Sequence, residues 1–353
     1  MAYCRKCGAK LEEGARFCHV CGAPVVTVTA ATRPTAPKRR RPFYTLPVII
    51  LIAVLLTAIV ISALIFLPLS PVHFNQTNQV PKTDVNSLLV DLQADVAHVN
   101  VIFQNLPSSM VVLNVTADGD VGILEDPDRA VYVTFNHQTT NNSEVVIASV
   151  SRAIRWPLFY TVNVTCDVYI DFSANLSLTV RSGVGDIMMN ADNNVIFQDL
   201  NLETTTGNID ARLSREVTVD GSVNVKTTTG NVHFQMGEAA DVSRNVSVNL
   251  RSTTGSVNMV LAETQMSGNV TVHARTTTGS VNLSMAVYDD VGATIESETA
   301  IGGINVDVEK FSGNETLLQS DNFPAGSNFL VYLRTSTGGI NINAIYETSA
   351  ILS

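Results

Sequence analysis

Cysteine is scarce. The chain has five in 353 residues. Four fall within residues 4–21, and beyond them only Cys166 occurs. A secreted disulfide scaffold spreads paired cysteines through its body. Residues 71–353 therefore depend on hydrogen-bond ladders and apolar burial. Charge is also scarce, at 15% of residues, and it is unevenly placed. Residues 1–70 hold nine Lys or Arg against two acids (Glu12 and Glu13), a formal +7, while residues 71–353 hold 13 against 30, a formal −17. Such a division points to two environments. The acidic part excludes nucleic acid as its partner, since phosphate binding needs a basic face. No helical period is found after residue 84. No G-x-S-x-G, H-E-x-x-H or GG-x-G-x-D run occurs, and no pair of carboxylates stands out. Outside the first 25 residues the histidines, His73, His98, His137, His233 and His273, are scattered and read as solvated residues. Cys166 sits in an alternating run and reads as a small buried hydrophobe. Together these absences argue against an enzyme.

What is present begins with two knuckles, Cys4-Arg-Lys-Cys7-Gly8 and Cys18-His-Val-Cys21-Gly22. Thiolates three positions apart converge on one ion, and the glycine that follows permits the tight turn. Four sulfurs suit tetrahedral Zn²⁺, so Cys4, Cys7, Cys18 and Cys21 are the metal ligands expected here. Two disulfides are the alternative, and His19 is read as a spacer. Residues 3–24 resemble, over their whole length, the short zinc-ribbon module at the N-terminus of many prokaryotic membrane proteins. That resemblance implies a structural zinc site with no open catalytic position. So few residues build no core, so folding should require the metal.

Residues 26–45 read as a Pro/Thr/basic linker. Val48–Leu67 carries no charge over 20 residues, about 30 Å of helix at about 1.5 Å per residue, which matches a hydrocarbon core. Residues 46–67 are therefore expected to form one transmembrane helix. Arg33 and Lys38–Arg41 precede it and the next basic residue is Lys82. By the positive-inside rule the N-terminus is cytoplasmic and the rest of this single-pass chain extracellular. The basic run could also bind anionic lipid.

Residues 68–83 read as a linker, 84–175 as β strands that start and cap a stack, 176–346 as the stack and 347–353 as a tail. The stack is legible as a repeat centred on Gly185, Gly207, Gly230, Gly255, Gly279, Gly302 and Gly338. Apolar residues stand seven and five positions before the glycines and two and four after them, as in Val223, Val225, Val232 and Phe234, with Ser297 the exception five before Gly302. This is strand, tight corner, strand, with one face buried. The predicted fold is mainly β: a β-solenoid or β-helix-like stack with one turn per 22–25 residues, plus the membrane helix and the ribbon. The longer last interval is expected to hold an insertion around Phe311–Ser327. Gly119 is a candidate irregular copy, and Trp156 and Phe159 are candidate end plugs. The recurring T-[TS]-[TS]-G-[NSGD]-[IV] run over about 90–346 resembles the toast-rack adhesin family of bacterial and archaeal surface proteins, whose domains are repetitive and β-rich.

Two features bear on binding. Four residues before the glycines stand Arg181, Glu203, Lys226, Arg251, Arg275, Glu298 and Arg334. This column is either a solvated face or a stripe for an acidic surface glycan or protein partner centred on Lys226, Arg251 and Arg275. N-x-S/T sequons begin at Asn75, Asn114, Asn141, Asn163, Asn175, Asn245, Asn269, Asn282 and Asn314, candidate glycosylation sites on an exported domain. The leading expectation is a membrane-anchored, cell-surface structural or binding protein of adhesin type. The alternative is an envelope sensor or scaffold relaying to a cytoplasmic partner through the ribbon.

Overall fold

The computed structural model describes residues 2–25, 45–65, 70–122, 126–140, 142–153, 161–192, 194–214, 216–237, 242, 244–263, 266–288 and 290–347. The chain divides into two compact units, Met1–Phe66 and Leu67–Ser353. In the first, a short hairpin pairs Ala2–Tyr3 with Lys10–Leu11, and a helix spans Thr45–Ile65. Among the described residues no helix is long and apolar enough to cross a membrane. The expected transmembrane helix over 46–67 is thus overturned. The single-pass localisation built on it, cytoplasmic N-terminus and extracellular β domain, falls with it. The basic run Lys38–Arg41 lies outside the described residues.

The second unit is almost entirely β. Eight coils each contribute one strand to a 12-stranded sheet and one to an 11-stranded sheet. In chain order the strand pairs are Ser87–Val96 with His98–Phe103 (coil 1), Asn175–Val184 with Ile187–Ala191 (coil 2), Ile196–Thr206 with Ile209–Leu213 (coil 3) and Thr218–Thr229 with Val232–Met236 (coil 4). Then come Val246–Thr254 with Val257–Glu263 (coil 5), Val270–Thr278 with Val281–Tyr288 (coil 6), Val291–Ile301 with Ile304–Glu309 (coil 7) and Ser327–Thr337 with Ile340–Glu347 (coil 8). Neighbouring coils pair in parallel and in register, so each side chain stacks on its equivalent about 4.8 Å away. The inward columns form one core between the sheets. Val223, Val225, Val232 and Phe234 of coil 4 are fully buried.

The repeat motif has a mechanical explanation. Gly230 adopts φ +144°, and a Cβ there would lie 1.9 Å from the Gly207 carbonyl oxygen. A side chain is excluded by both the left-handed backbone and the contact. Three residues before each glycine an inward hydroxyl donates to the corner carbonyl of the adjoining coil: Ser182 to Ala97, Thr204 to Gly185, Thr227 to Gly207, Thr276 to Gly255 (3.1, 3.0, 2.9 and 2.8 Å). One residue after, the side chain accepts from the next coil's backbone N–H, as Asp186 from Asn208 and Asn208 from Asn231 (2.7 and 2.9 Å). Thr and Asn recur because they satisfy buried or corner backbone groups that the turn leaves free.

Coil order departs from chain order. Coil 8 inserts between coils 6 and 7, so the sequence of rungs is 6, 8, 7 in both sheets. The expected insertion is a hairpin, Phe311–Asn314 with Leu317–Ser320, that adds antiparallel to the outer edge of coil 7. The reason is burial. Coil 8 offers Phe329, Val331, Leu333, Ile340 and Ile342 to the inward columns, all nearly inaccessible to solvent, whereas Ile304, Val306 and Val308 of coil 7 are only half-buried at the edge of the small sheet. In the small sheet the terminal rung has one neighbour, so its inward residues stay partly open to solvent.

At the other end, coil 1 is an eighth repeat without the glycine. Its corner holds Ala97, and Val90, Leu92, Val99 and Val101 fill the inward columns. Gly119 is no corner: it lies in Ser109–Val121, where a Cβ would strike the Thr161 carbonyl. Strands Ser143–Arg152 and Val131–Thr140 extend the large sheet beyond coil 1, and Asn163–Ile170, Ser109–Val121 and Ser70–Pro81 extend the small one. Strands therefore begin at Ser70, inside the expected linker. Trp156 and Phe159 lie outside the described residues.

Candidate functional site

The ribbon brings its four expected ligands together. The ligand atoms of Cys4, Cys7, Cys18 and Cys21 lie within 4.8 Å of one another, with Cys4 Sγ to Cys21 Sγ at 3.7 Å and Cys7 Sγ to Cys18 Sγ at 3.5 Å. A tetrahedron with Zn–S of about 2.3 Å has edges of about 3.8 Å, so the spacing fits zinc and is too long for disulfides. Each knuckle closes on its glycine: Gly8 N–H donates to Cys4 carbonyl and Gly22 N–H to Cys18 carbonyl (2.9 and 2.8 Å), with positive φ at both glycines. The backbone N–H groups of Lys6 and Cys7 aim at the Cys4 sulfur and hold its pKa down to about 6. Those of Val20 and Cys21 lower Cys18 in the same way. The Ala9 N–H acts likewise on Cys7, but the thiols of Cys21 and Cys18 outweigh it and push Cys7 up to about 12. A cation is what relieves this crowding of sulfurs, because zinc requires thiolates. Among the described residues no other group of three or more His, Cys, Asp or Glu is gathered for a metal.

The histidines are dispersed. His73 pairs with Asp118 and His137 with the buried Glu144 (both 2.9 Å), and His98 lies 3.8 Å from Asp186. His233 is half-buried on the small sheet. Cys166 is fully buried, and that burial pushes its thiol up to about 12.

The charge column forms on the outward face of the large sheet, in an order the chain does not display. Along the stack it runs Arg181, Glu203, Lys226, Arg251, Arg275, Arg334, Glu298. Insertion of coil 8 thus places four basic residues on consecutive rungs. Arg181 reaches Asp91 (3.3 Å), Lys226 pairs with Glu203, and Arg334 with Glu298 (3.1 Å). Arg251 and Arg275 are exposed, and among the described residues neither has a carboxylate partner.

A second column, two residues earlier in each strand, was not legible as a site: Asn201, Asn224, Asn249, His273, Tyr332, Glu296. Asn249 donates to Asn224 (3.1 Å), and the His273 and Tyr332 rings stack with centroids 4.8 Å apart. Only rung order could reveal this stack, because 59 positions separate the two residues in the chain.

Of the sequon asparagines, Asn75, Asn163, Asn245 and Asn314 are exposed, while Asn114, Asn175, Asn269 and Asn282 are half-buried. Asn282 belongs to an amide ladder, donating to Asn258 and accepting from Asn341 (2.6 and 2.7 Å). Asn141 lies outside the described residues.

Compared with known proteins, residues 3–25 match the zinc-ribbon domain family; this segment is a zinc-ribbon domain whose four cysteines could bind a zinc ion. A search of curated proteins finds no match. Among solved structures, the chain is similar to a candidate cell-adhesion protein from Clostridium sporogenes ATCC 15579, with 12% identity, TM-score 0.41 and coverage of 78% of this chain and 100% of that one. It is also similar to candidate adhesins from Bacteroides fragilis NCTC 9343 (12% identity, TM-score 0.32, coverage 76% and 97%) and Parabacteroides merdae ATCC 43184 (10%, 0.27, 77% and 96%).

Proposed function

We propose that the chain is an adhesin-like binding protein, in which the solenoid presents an extended recognition face and the ribbon is held by a structural zinc ion. The observation that carries this is the run Lys226–Arg251–Arg275–Arg334 on consecutive rungs, with its two central arginines unpaired by carboxylates. On a domain of formal charge −17, a local cationic stripe is costly to assemble, because like charges about 4.8 Å apart repel. An anionic partner offsets that repulsion, and repetition along the stack multiplies weak contacts into avidity. Binding rather than turnover is the proposal, because one kind of charge recurs rung after rung along the stack.

The full-length chain should be retained on immobilised dextran sulfate and poly-L-glutamate at low salt and released as ionic strength rises, since exposed charges are screened within about 10 Å at 0.1 M. Replacing Lys226, Arg251 and Arg275 together by serine should abolish retention. Equal retention of the triple variant would sink the proposal.

A further inference from the structure

We infer that the trough between the two outward columns at coils 6, 8 and 7 binds a linear carboxylated polysaccharide lying along the stack axis. This rests on the anionic-partner reading above and narrows it to one ligand class. The trough is a hollow of ≈ 300 Å³. One wall is His273, Tyr332 and Glu296; the other is Arg275, Arg334 and Glu298. Between them the side chains of Ala274, Leu333 and Ser297 turn inward and are buried, so the floor is sheet backbone. Thr316, in the turn of the hairpin added to coil 7, stands at the closed end.

Three features select the ligand. The stacked imidazole and phenol offer an apolar aromatic platform beside polar groups, which suits the C–H face of a sugar ring. Arg275 faces that platform without a carboxylate partner among the described residues, so its planar fork is available to a ligand carboxylate. Toward the middle of the stack the same pairing of a planar polar group with a cation recurs once per rung, at Asn249 with Arg251 and Asn224 with Lys226. A ligand that uses all three must carry hydroxyls and acids repeated along a line. An acidic peptide supplies the charge but not the ring faces. Glu296 and Glu298 give the trough a polarity: the ligand carboxylates turn toward Arg275 and away from coil 7.

The test is titration calorimetry on the full-length chain with three probes: an oligogalacturonate, its neutral methyl ester, and poly-L-glutamate. The oligogalacturonate should bind more tightly than either comparator. Tyr332→Ala should weaken it about tenfold, the scale of one lost aromatic contact, with poly-L-glutamate unaffected. Arg275→Gln should weaken both acidic probes. His273 is exposed, so His273→Ala gives the same contrast if Tyr332→Ala melts early, and Tyr332→Phe should retain binding. The inference is overturned if the oligogalacturonate binds no tighter than poly-L-glutamate, or if loss of the rings weakens both equally or neither. Poly-L-glutamate binding that survives such a result would leave the cationic-stripe reading standing; loss of all binding to acidic probes would remove both.

Discussion

The two ends of this chain solve the problem of stability in opposite ways. The ribbon has almost no core: Cys4, Leu11 and Cys18 are its buried cluster, and two of those three are metal ligands. The solenoid has a continuous core running through all eight coils, and its one cysteine, Cys166, is free. In the ribbon one coordination centre substitutes for hydrophobic burial. In the solenoid each rung is supported by its neighbours, so stability is spread along the stack. The comparison teaches that the same chain can concentrate its vulnerability at one point or distribute it.

The largest effect should come from breaking the ribbon's single point. Structural zinc in small domains contributes about 10–16 kcal/mol of coupled binding and folding. Chelation, or Cys18→Ser, should collapse the amide spectrum of residues 3–25 while the signals of residues 70–347 stay in place. Movement of both sets together would show that the two units are not independent. Acidification should act like chelation, because thiolates must be protonated to release the ion.

The next effect tests the distributed side. Gly230→Ala must fit a methyl 1.9 Å from a carbonyl oxygen at a left-handed φ. It should cost about 3 kcal/mol or more in thermal or denaturant unfolding. Gly303 lies beside the terminal corner, where a Cβ would meet nothing within 4 Å, so Gly303→Ala should fall within about 0.5 kcal/mol of the parent. Equal costs would refute the corner mechanism.

The smallest effect lies in the capping strands. Asp171 is buried and accepts hydrogen bonds from Leu106 N–H, Ser173 N–H and Lys82 Nζ (2.8, 3.0 and 3.0 Å). Burial alone would raise its pKa, but these donors together outweigh burial and lower it. A carboxylate depressed in the folded state contributes stability above its unfolded value of about 3.9, and that contribution is lost as pH falls through the folded value. Asp171→Asn should therefore lower stability by about 1.5–3 kcal/mol at pH 7, and the gap between variant and parent should narrow as pH falls below the unfolded value of about 3.9. A gap independent of pH would mean that the charge at Asp171 is irrelevant.

Much of the fold was legible because the repeat is local. Each glycine, the hydroxyl three before it and the polar residue after it serve contacts within one corner and its neighbour, so the pattern repeats wherever a corner is pressed by another. Coil 1 escaped this reading for the same reason. Its corner holds Ala97 in place of glycine, and Gly185 packs on the Ala97 carbonyl. The glycine rule does not apply there, and only the apolar alternation marked the coil. The four zinc ligands were legible because spacing and chemistry are both contained in 18 residues.

The apolar run before the solenoid shows how a local reading can fail. Twenty uncharged residues imply a span when hydropathy alone is weighed, yet no helix among the described residues is long and apolar enough to cross a membrane. Residue types and their local spacing were enough to establish alternating strands, glycine corners, buried columns and a four-cysteine centre. They could not determine the order of the rungs. Coil 8 lies inside coil 7 because burial is decided by neighbours: its inward residues are covered from both sides there, whereas Ile304, Val306 and Val308 of coil 7 stay half-buried at the edge of the small sheet. That non-local choice gathers Arg251, Arg275 and Arg334 on successive strands and sets Tyr332 on His273, so the candidate binding face exists only in the tertiary structure.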